Sequence, residues 1–115
     1  MNYMKDKIKI TFVLPSLAGG GAERVSLNII KNLDKSKFVT KLILFNKVGP
    51  LVDFLPDDIS VLSLGKSSLR GAFFSLIRQL RVNNPDIIFS TLSHVNIALI
   101  AARKLISNKT KIIIR

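Results

Sequence analysis

The chain has 115 residues, a length that suits one domain with one hydrophobic core. Its 48 % hydrophobic and 22 % charged residues are typical of a globular protein, and no apolar run is long enough to cross a membrane. The lack of cysteine excludes disulfides and thiolate chemistry, while one histidine and seven acidic residues, mostly scattered, argue against a metal site.

The net charge of +11 is unevenly distributed. Residues 1–58 contain nine basic and six acidic residues, a net charge of +3, whereas residues 59–115 contain nine basic residues against Asp86 alone, a net charge of +8. A basic half favours a phosphate-rich partner, which is nucleic acid, anionic lipid or a phosphorylated substrate. The alternative is that an acidic neighbouring protein or domain covers the basic half. With no cysteine and no signal peptide, the chain is predicted to be cytoplasmic.

Short apolar runs and segments of helical periodicity alternate along the chain. In chain order they predict a strand at 8–14, a helix at 22–33, a strand at 38–45, a short helical turn at 51–55, a strand at 59–64, a helix at 69–82, a strand at 87–90, a helix at 93–106 and a strand at 111–114. Ser67 or Ser68 is the predicted cap of the second long helix, and Ser93 that of the third.

Strands that alternate with helices predict an α/β fold, a Rossmann-like three-layer αβα sandwich with a parallel sheet. Right-handed crossovers give the strand order 3-2-1-4-5, so strands 1 and 4 are neighbours at the topological switch point, where ligands bind. Residues 1–115 are predicted to form one such domain. Because the chain ends on its last strand, we expect it to be part of a longer protein.

Three consecutive glycines, Gly19, Gly20 and Gly21, join the first strand to the first helix. Glycines permit positive φ and close backbone approach to a ligand, and the helix N-terminus offers free N–H groups to a phosphate. The alternative is a turn without a ligand, in which Glu23 only complements the helix dipole. A P-loop is excluded by the spacing, and a dinucleotide motif is weak because Arg24 replaces its third glycine.

Four polar residues follow the fourth strand: Thr91, Ser93, His94 and Asn96. The predicted strand order places them beside the glycine loop, although more than seventy residues separate the two segments.

The second long helix combines a core face with a basic face. On a helical wheel Arg70, Arg78 and Arg81 lie on an arc beside the core face, with Phe74 between them. Phenylalanine among arginines is typical of an interfacial membrane helix, and the same face suits nucleic-acid phosphates. With one tyrosine and no tryptophan, no stacking platform supports nucleic acid. A solvated face, or a contact with another domain, is the remaining alternative.

Three segments carry a resemblance to a known family. The sequences VLPSL at 13–17, GGGAER at 19–24 and PDIIFSTLSHVN at 85–96 resemble the N-terminal domain of the GT-B glycosyltransferases of family 4, also called group 1. The resemblance covers nearly the whole chain. It implies a two-domain enzyme that transfers a hexose with retention, usually without a metal ion. Its N-terminal domain holds the acceptor, and its C-terminal domain holds the nucleotide-sugar through a pair of glutamates that this chain lacks.

The resemblance implies roles residue by residue. Gly19, Gly20 and Gly21, with Ala22 and Glu23, match the loop that approaches the donor diphosphate and the acceptor. Many members carry a histidine directly after the fourth strand; here Thr91 is nearer that place, and His94, three residues later, is the candidate catalytic residue. The alternative for His94 is a structural histidine that forms a hydrogen bond near the helix start. Thr91, Ser93 and Asn96 are candidate substrate-binding residues.

The resulting expectation is the acceptor-side domain of a glycosyltransferase of cell-surface glycan biosynthesis. Its partners are a nucleotide-sugar, a saccharide or lipid-linked acceptor and a C-terminal domain, with no metal or other cofactor and no nucleic acid. An anionic membrane surface, at the inner face of the plasma membrane, is the expected partner of Arg70, Phe74, Arg78 and Arg81. The alternative function is a non-enzymatic module of the same fold that binds anionic phosphates or lipids.

Overall fold

A computed structural model describes residues 7–66, 69–91, 93–106 and 109–114; the predicted caps Ser67 and Ser68 lie outside these ranges. The elements, in chain order, are β1 (Ile8–Leu14), α1 (Gly21–Asn32), β2 (Phe38–Leu44), a first 3-10 helix (Pro50–Phe54), β3 (Ser60–Ser63), α2 (Leu69–Asn83), β4 (Ile87–Ser90), α3 (Ser93–Ala101), a second 3-10 helix (Arg103–Leu105) and β5 (Lys111–Ile114).

The five strands form one parallel sheet in the order β3-β2-β1-β4-β5, which confirms the predicted topology. β1 is central: it pairs with β2 from Ile8 opposite Phe38 to Leu14 opposite Leu44, and on its other edge Phe12 lies opposite Phe89 of β4. The strand order reverses between β1 and β4, so their carboxyl ends flank the switch point.

Helices cover both faces of the sheet. Alternate residues of each strand point to opposite sides, and both sides are apolar, so each face needs a covering layer. Phe12 and Leu14 of β1 belong to the core beneath α1, where Leu27 and Ile30 are buried. Val13, between them, belongs to the core beneath α2 and α3. Burial of each such leucine or isoleucine contributes about 2 kcal/mol. The architecture is the predicted Rossmann-like sandwich.

The third helix ends earlier than the sequence predicts. α3 stops at Ala101, and a 3-10 turn in which the Leu105 N–H donates to the Ala102 carbonyl replaces its predicted last turn. The tighter turn buries Ile106 and lets the Arg103 guanidinium donate to the Thr110 carbonyl oxygen at 3.0 Å. The hydrogen bond of Arg103 and the burial of Ile106 together favour the 3-10 geometry over a continued α-helix.

Asp86, the single acidic residue of the basic half, ties the amino ends of three strands together. Its carboxylate accepts the Lys9 backbone N–H at 2.8 Å, its own N–H donates to the Lys9 carbonyl at 2.9 Å, and its carbonyl accepts the Lys111 N–H at 2.9 Å. Asp86 therefore has a structural role at the edge of the sheet opposite the switch point.

Within the described ranges, no helix is both long and apolar enough to cross a membrane.

Candidate functional site

The glycine loop presents the N-terminus of α1 at the carboxyl end of β1. Gly20 is the residue before the helix, and it supplies no side-chain cap. The first intrahelical hydrogen bond runs from the Arg24 N–H to the Gly20 carbonyl oxygen at 3.1 Å. The N–H groups of Gly21, Ala22 and Glu23 therefore have no acceptor within the helix, and they carry the positive end of its dipole.

The prediction of positive φ across the glycine loop holds at Gly19 alone, where φ is 106°. Gly20 is extended with φ at −70°, and Gly21 begins the helix, so any L-residue can adopt either conformation. A Cβ on Gly21 would meet open space, whereas one on Gly20 would lie 2.6 Å from the Glu23 Oε1. The Glu23 carboxylate thus lies over Gly20, beside the start of the helix.

Arg24 holds the glycine loop in place. Its Nε donates to the Gly19 carbonyl oxygen at 3.1 Å, across the turn made by the positive φ of Gly19. In the sequence, Arg24 stands where a third glycine would, at the end of the GGGAER segment and as a solvated base; the structure gives it a positioning role.

Gly49, which lies between the second strand and the predicted helical turn at 51–55, anchors the same loop from a distance. The buried Leu17 donates its N–H to the Val48 carbonyl at 2.9 Å and accepts the Leu51 N–H at 3.1 Å. Gly49 lies between these two bonds with φ at 118°, and a Cβ there would overlap the Leu17 carbonyl group. In the sequence, the Gly49-Pro50 pair indicates a break in the chain, but it does not indicate that Leu17 packs against Gly49.

A crevice of about 300 Å³ opens where β4 ends beside α1. Among the described residues it is lined by Gly21, Ala22, Val25 and Thr91. The structure therefore brings two predicted groups together, the start of α1 and the residue that follows β4. This is the position at which doubly wound sheets bind ligands.

Two hydroxyl groups at the end of β4 are buried without a hydrogen-bond partner among the described residues. They are the Oγ of Ser90, which is 1 % exposed, and the Oγ1 of Thr91, which lines the crevice. A buried hydroxyl without a partner costs about 1–3 kcal/mol. The Oγ1 atom of Thr91 is itself closed to solvent, so a ligand in the crevice bonds to it only after the side chain turns; that bond recovers part of the cost.

The other residues predicted after β4 fall in α3. The backbone of Ser93 and His94 forms its first turn, directly after the carboxyl end of β4, while their side chains lie outside the described part of the structure. Asn96 is buried within α3 and does not line the crevice. The catalytic role of His94 stays a prediction.

The described groups around the crevice can bind a polar ligand through hydrogen bonds. Backbone N–H groups and the Thr91 hydroxyl donate, and the hydroxyl and the nearby Glu23 carboxylate accept. Across the described ranges, no three histidine, cysteine or acidic side chains form a group that could hold a metal ion. The arrangement fits a ligand that carries hydroxyl or phosphate groups.

The predicted basic residues form a second, separate surface. Arg70, Phe74, Arg78 and Arg81 are exposed on α2, and Phe74 retains 78 % of its accessible surface. Their helix covers the face of the sheet opposite α1, while Leu76, Ile77 and Leu80 on its inner side are buried, as the helical wheel predicts.

No protein-family model matches the chain, and no curated protein is significantly similar to it in sequence. The functional argument therefore starts from the fold and the crevice.

Proposed function

We propose that the chain is the acceptor-side domain of a retaining hexosyltransferase that takes its sugar from a nucleotide-sugar. The acceptor is a saccharide or a lipid-linked saccharide of cell-surface glycan biosynthesis. The enzyme acts on the cytoplasmic side, at the inner face of the plasma membrane, and a second domain holds the donor. The resemblance of the glycine loop and of residues 85–96 to family 4 supports this proposal, as does the Rossmann-like fold.

The observation that carries the proposal is Thr91, which lines the crevice beside the first turn of α1 and whose hydroxyl oxygen is buried without a partner among the described residues. Glu23 places a carboxylate beside the free N–H groups of the same helix end, so the site offers both acceptors and donors and matches ligand groups that also donate and accept. Sugar hydroxyls have this property. A saccharide hydroxyl that bonds Thr91 and a free N–H of α1 would be held at the switch point.

The experiment is sugar transfer by the protein encoded by the complete gene. Labelled nucleotide-sugars are offered with saccharide and lipid-extract acceptors, and the anomeric configuration of the product is determined. We expect transfer with retention. Thr91→Val, which removes one hydroxyl at nearly constant volume, should lower kcat/KM for the acceptor roughly 3- to 10-fold.

Three outcomes would contradict the proposal. An inverted product excludes the retaining mechanism, and equal activity of Thr91→Val excludes its acceptor contact. Transfer catalysed by residues 1–115 alone excludes the two-domain organisation. Absence of transfer with every donor, together with phosphate or lipid binding, would favour the non-enzymatic module, for which the exposed basic surface of α2 is the supporting observation.

A further inference from the structure

The outer side of α2 and the second 3-10 helix form one apolar surface. Phe74, Val82 and Leu105 keep 78 %, 71 % and 49 % of their surface exposed. Together with Ile77, Arg78 and Arg81 they line a shallow groove of about 390 Å³. Exposed apolar residues scattered singly are ordinary, whereas three that line one groove mark an interaction surface.

Five exposed cations lie on the same two elements; Arg103 donates to the Thr110 carbonyl oxygen, which leaves four. Arg70, Arg78 and Arg81 follow one another along α2, and Lys104 lines a neighbouring groove with Arg81 and Leu105. Within the described part of the chain, none of these four side chains makes a hydrogen bond or an ion pair. No acidic residue occurs in α2, α3 or the second 3-10 helix, so nothing on these elements neutralises the four charges.

We propose that this surface, which we call the α2 docking surface (Arg70, Phe74, Arg78, Arg81, Lys104 and Leu105), docks on a bilayer of anionic lipid. Phe74 and Leu105 enter the boundary between headgroups and acyl chains, and the four cations contact lipid phosphates. Apolar groups among cations on a helical surface satisfy both layers of an anionic membrane.

Charge and side-chain type favour lipid over other partners. A nucleic acid would match the cations, but Phe74 is the one exposed ring of this surface, and aliphatic Val82 and Leu105 offer no further stacking face to its bases. A purely apolar protein surface would leave four charges without counterions. An anionic bilayer supplies both phosphates for the cations and hydrocarbon for the apolar side chains.

The fold then sets the orientation of the crevice. α2 and α3 form one layer on the same face of the sheet and run antiparallel to its strands. On the outer side of this layer, Ile97 of α3 is also exposed, at 68 %. A molecule that docks through this layer lies with its sheet parallel to the bilayer. The crevice at the carboxyl ends of the strands therefore opens along the membrane plane.

The test is co-sedimentation of the chain with vesicles of phosphatidylcholine, with and without phosphatidylglycerol. We expect binding only with the anionic lipid at about 0.1 M salt, and release at about 1 M, where the Debye length falls from about 10 to about 3 Å. Each cation contributes roughly a fivefold factor, so Arg70→Gln/Arg78→Gln/Arg81→Gln should weaken binding roughly 100-fold.

Matched controls on other surfaces separate docking from net charge. Lys37→Gln/Lys47→Gln/Lys66→Gln removes three exposed charges elsewhere and should weaken binding less than about fivefold. Phe74→Ser/Leu105→Ser should weaken binding more than tenfold, whereas Phe54→Ser, whose ring is 58 % exposed beside α1, should not. Circular dichroism checks that each variant folds.

Equal loss in the two charge variants would overturn the proposal, as would equal binding to neutral and anionic vesicles. Tight binding of single-stranded nucleic acid that survives Phe74→Ser/Leu105→Ser, with no vesicle binding, would assign the surface to nucleic acid instead. A concentration-dependent dimer abolished by Phe74→Ser would assign it to a second copy of the chain. The proposed sugar transfer is assayed separately, so either proposal can fail alone.

Discussion

Gly49→Ala should destabilise the protein more than any other single glycine-to-alanine change in the loops around the crevice. Gly49 has φ at 118°, where an L-residue is strained, and its Cβ would overlap the Leu17 carbonyl and lie 2.7 Å from the Ala18 nitrogen. The first effect costs about 1–2 kcal/mol and the second, as overpacking against backbone, about 1–3 kcal/mol. We expect a total loss of about 3 kcal/mol in the free energy of unfolding, or roughly 10 °C in Tm.

Two other glycines provide matched controls. Gly65 has φ at 68° with no atom near its Cβ position, so Gly65→Ala should show the backbone cost alone, about 1 kcal/mol. Gly21 is helical and open, so Gly21→Ala should stabilise the protein by about 0.5–1 kcal/mol. Urea unfolding followed by circular dichroism measures all three. A loss at Gly49 no larger than that at Gly65 would refute the contact between Gly49 and Leu17.

Two further predictions concern hydrogen bonds. Asp86→Ala should lose about 1–2 kcal/mol of unfolding free energy because the Lys9 N–H loses a charged acceptor, while Asp57→Ala, an exposed control, should change it by less than about 0.5 kcal/mol. The Ser36 hydroxyl donates to Asp34 at 2.6 Å and lowers the pKa of that carboxyl, a stabilising effect present above its ordinary pKa and lost as the pH falls through the lowered value. Ser36→Ala should therefore raise the pKa of Asp34 in an NMR titration; an unchanged value would refute the assignment.

The sequence predicts the sheet well because parallel strands are buried on both faces. β4 and β5 have the predicted bounds, and the strand order follows from crossover handedness. The end of α3 is missed because Leu99, Ala102 and Ile106, all buried, continue a helical period through the 3-10 turn. Periodicity reports which residues face the core, and it does not distinguish an α-turn from a 3-10 turn.

The candidate site is predictable in position but not in its contacts. The glycines mark the loop, and the strand order brings Thr91 to it. The constraint on Gly49 comes from the Leu17 carbonyl, a contact between two loops that no local pattern encodes. Thr91 faces the start of α1 across the crevice, and its hydroxyl oxygen is buried without a partner among the described residues. Both follow from tertiary packing.

The central claim, that the crevice beside α1 and Thr91 is a ligand site, is tested most directly by an NMR titration of the chain with glucose 1-phosphate, which carries both hydroxyl and phosphate groups. We expect weak binding, with Kd on the order of 1 mM, and amide shifts concentrated at Gly21, Ala22, Glu23 and Thr91. Thr91→Val should weaken it roughly 3- to 10-fold. Shifts confined to the arginines of α2, or none at the crevice, would contradict the claim.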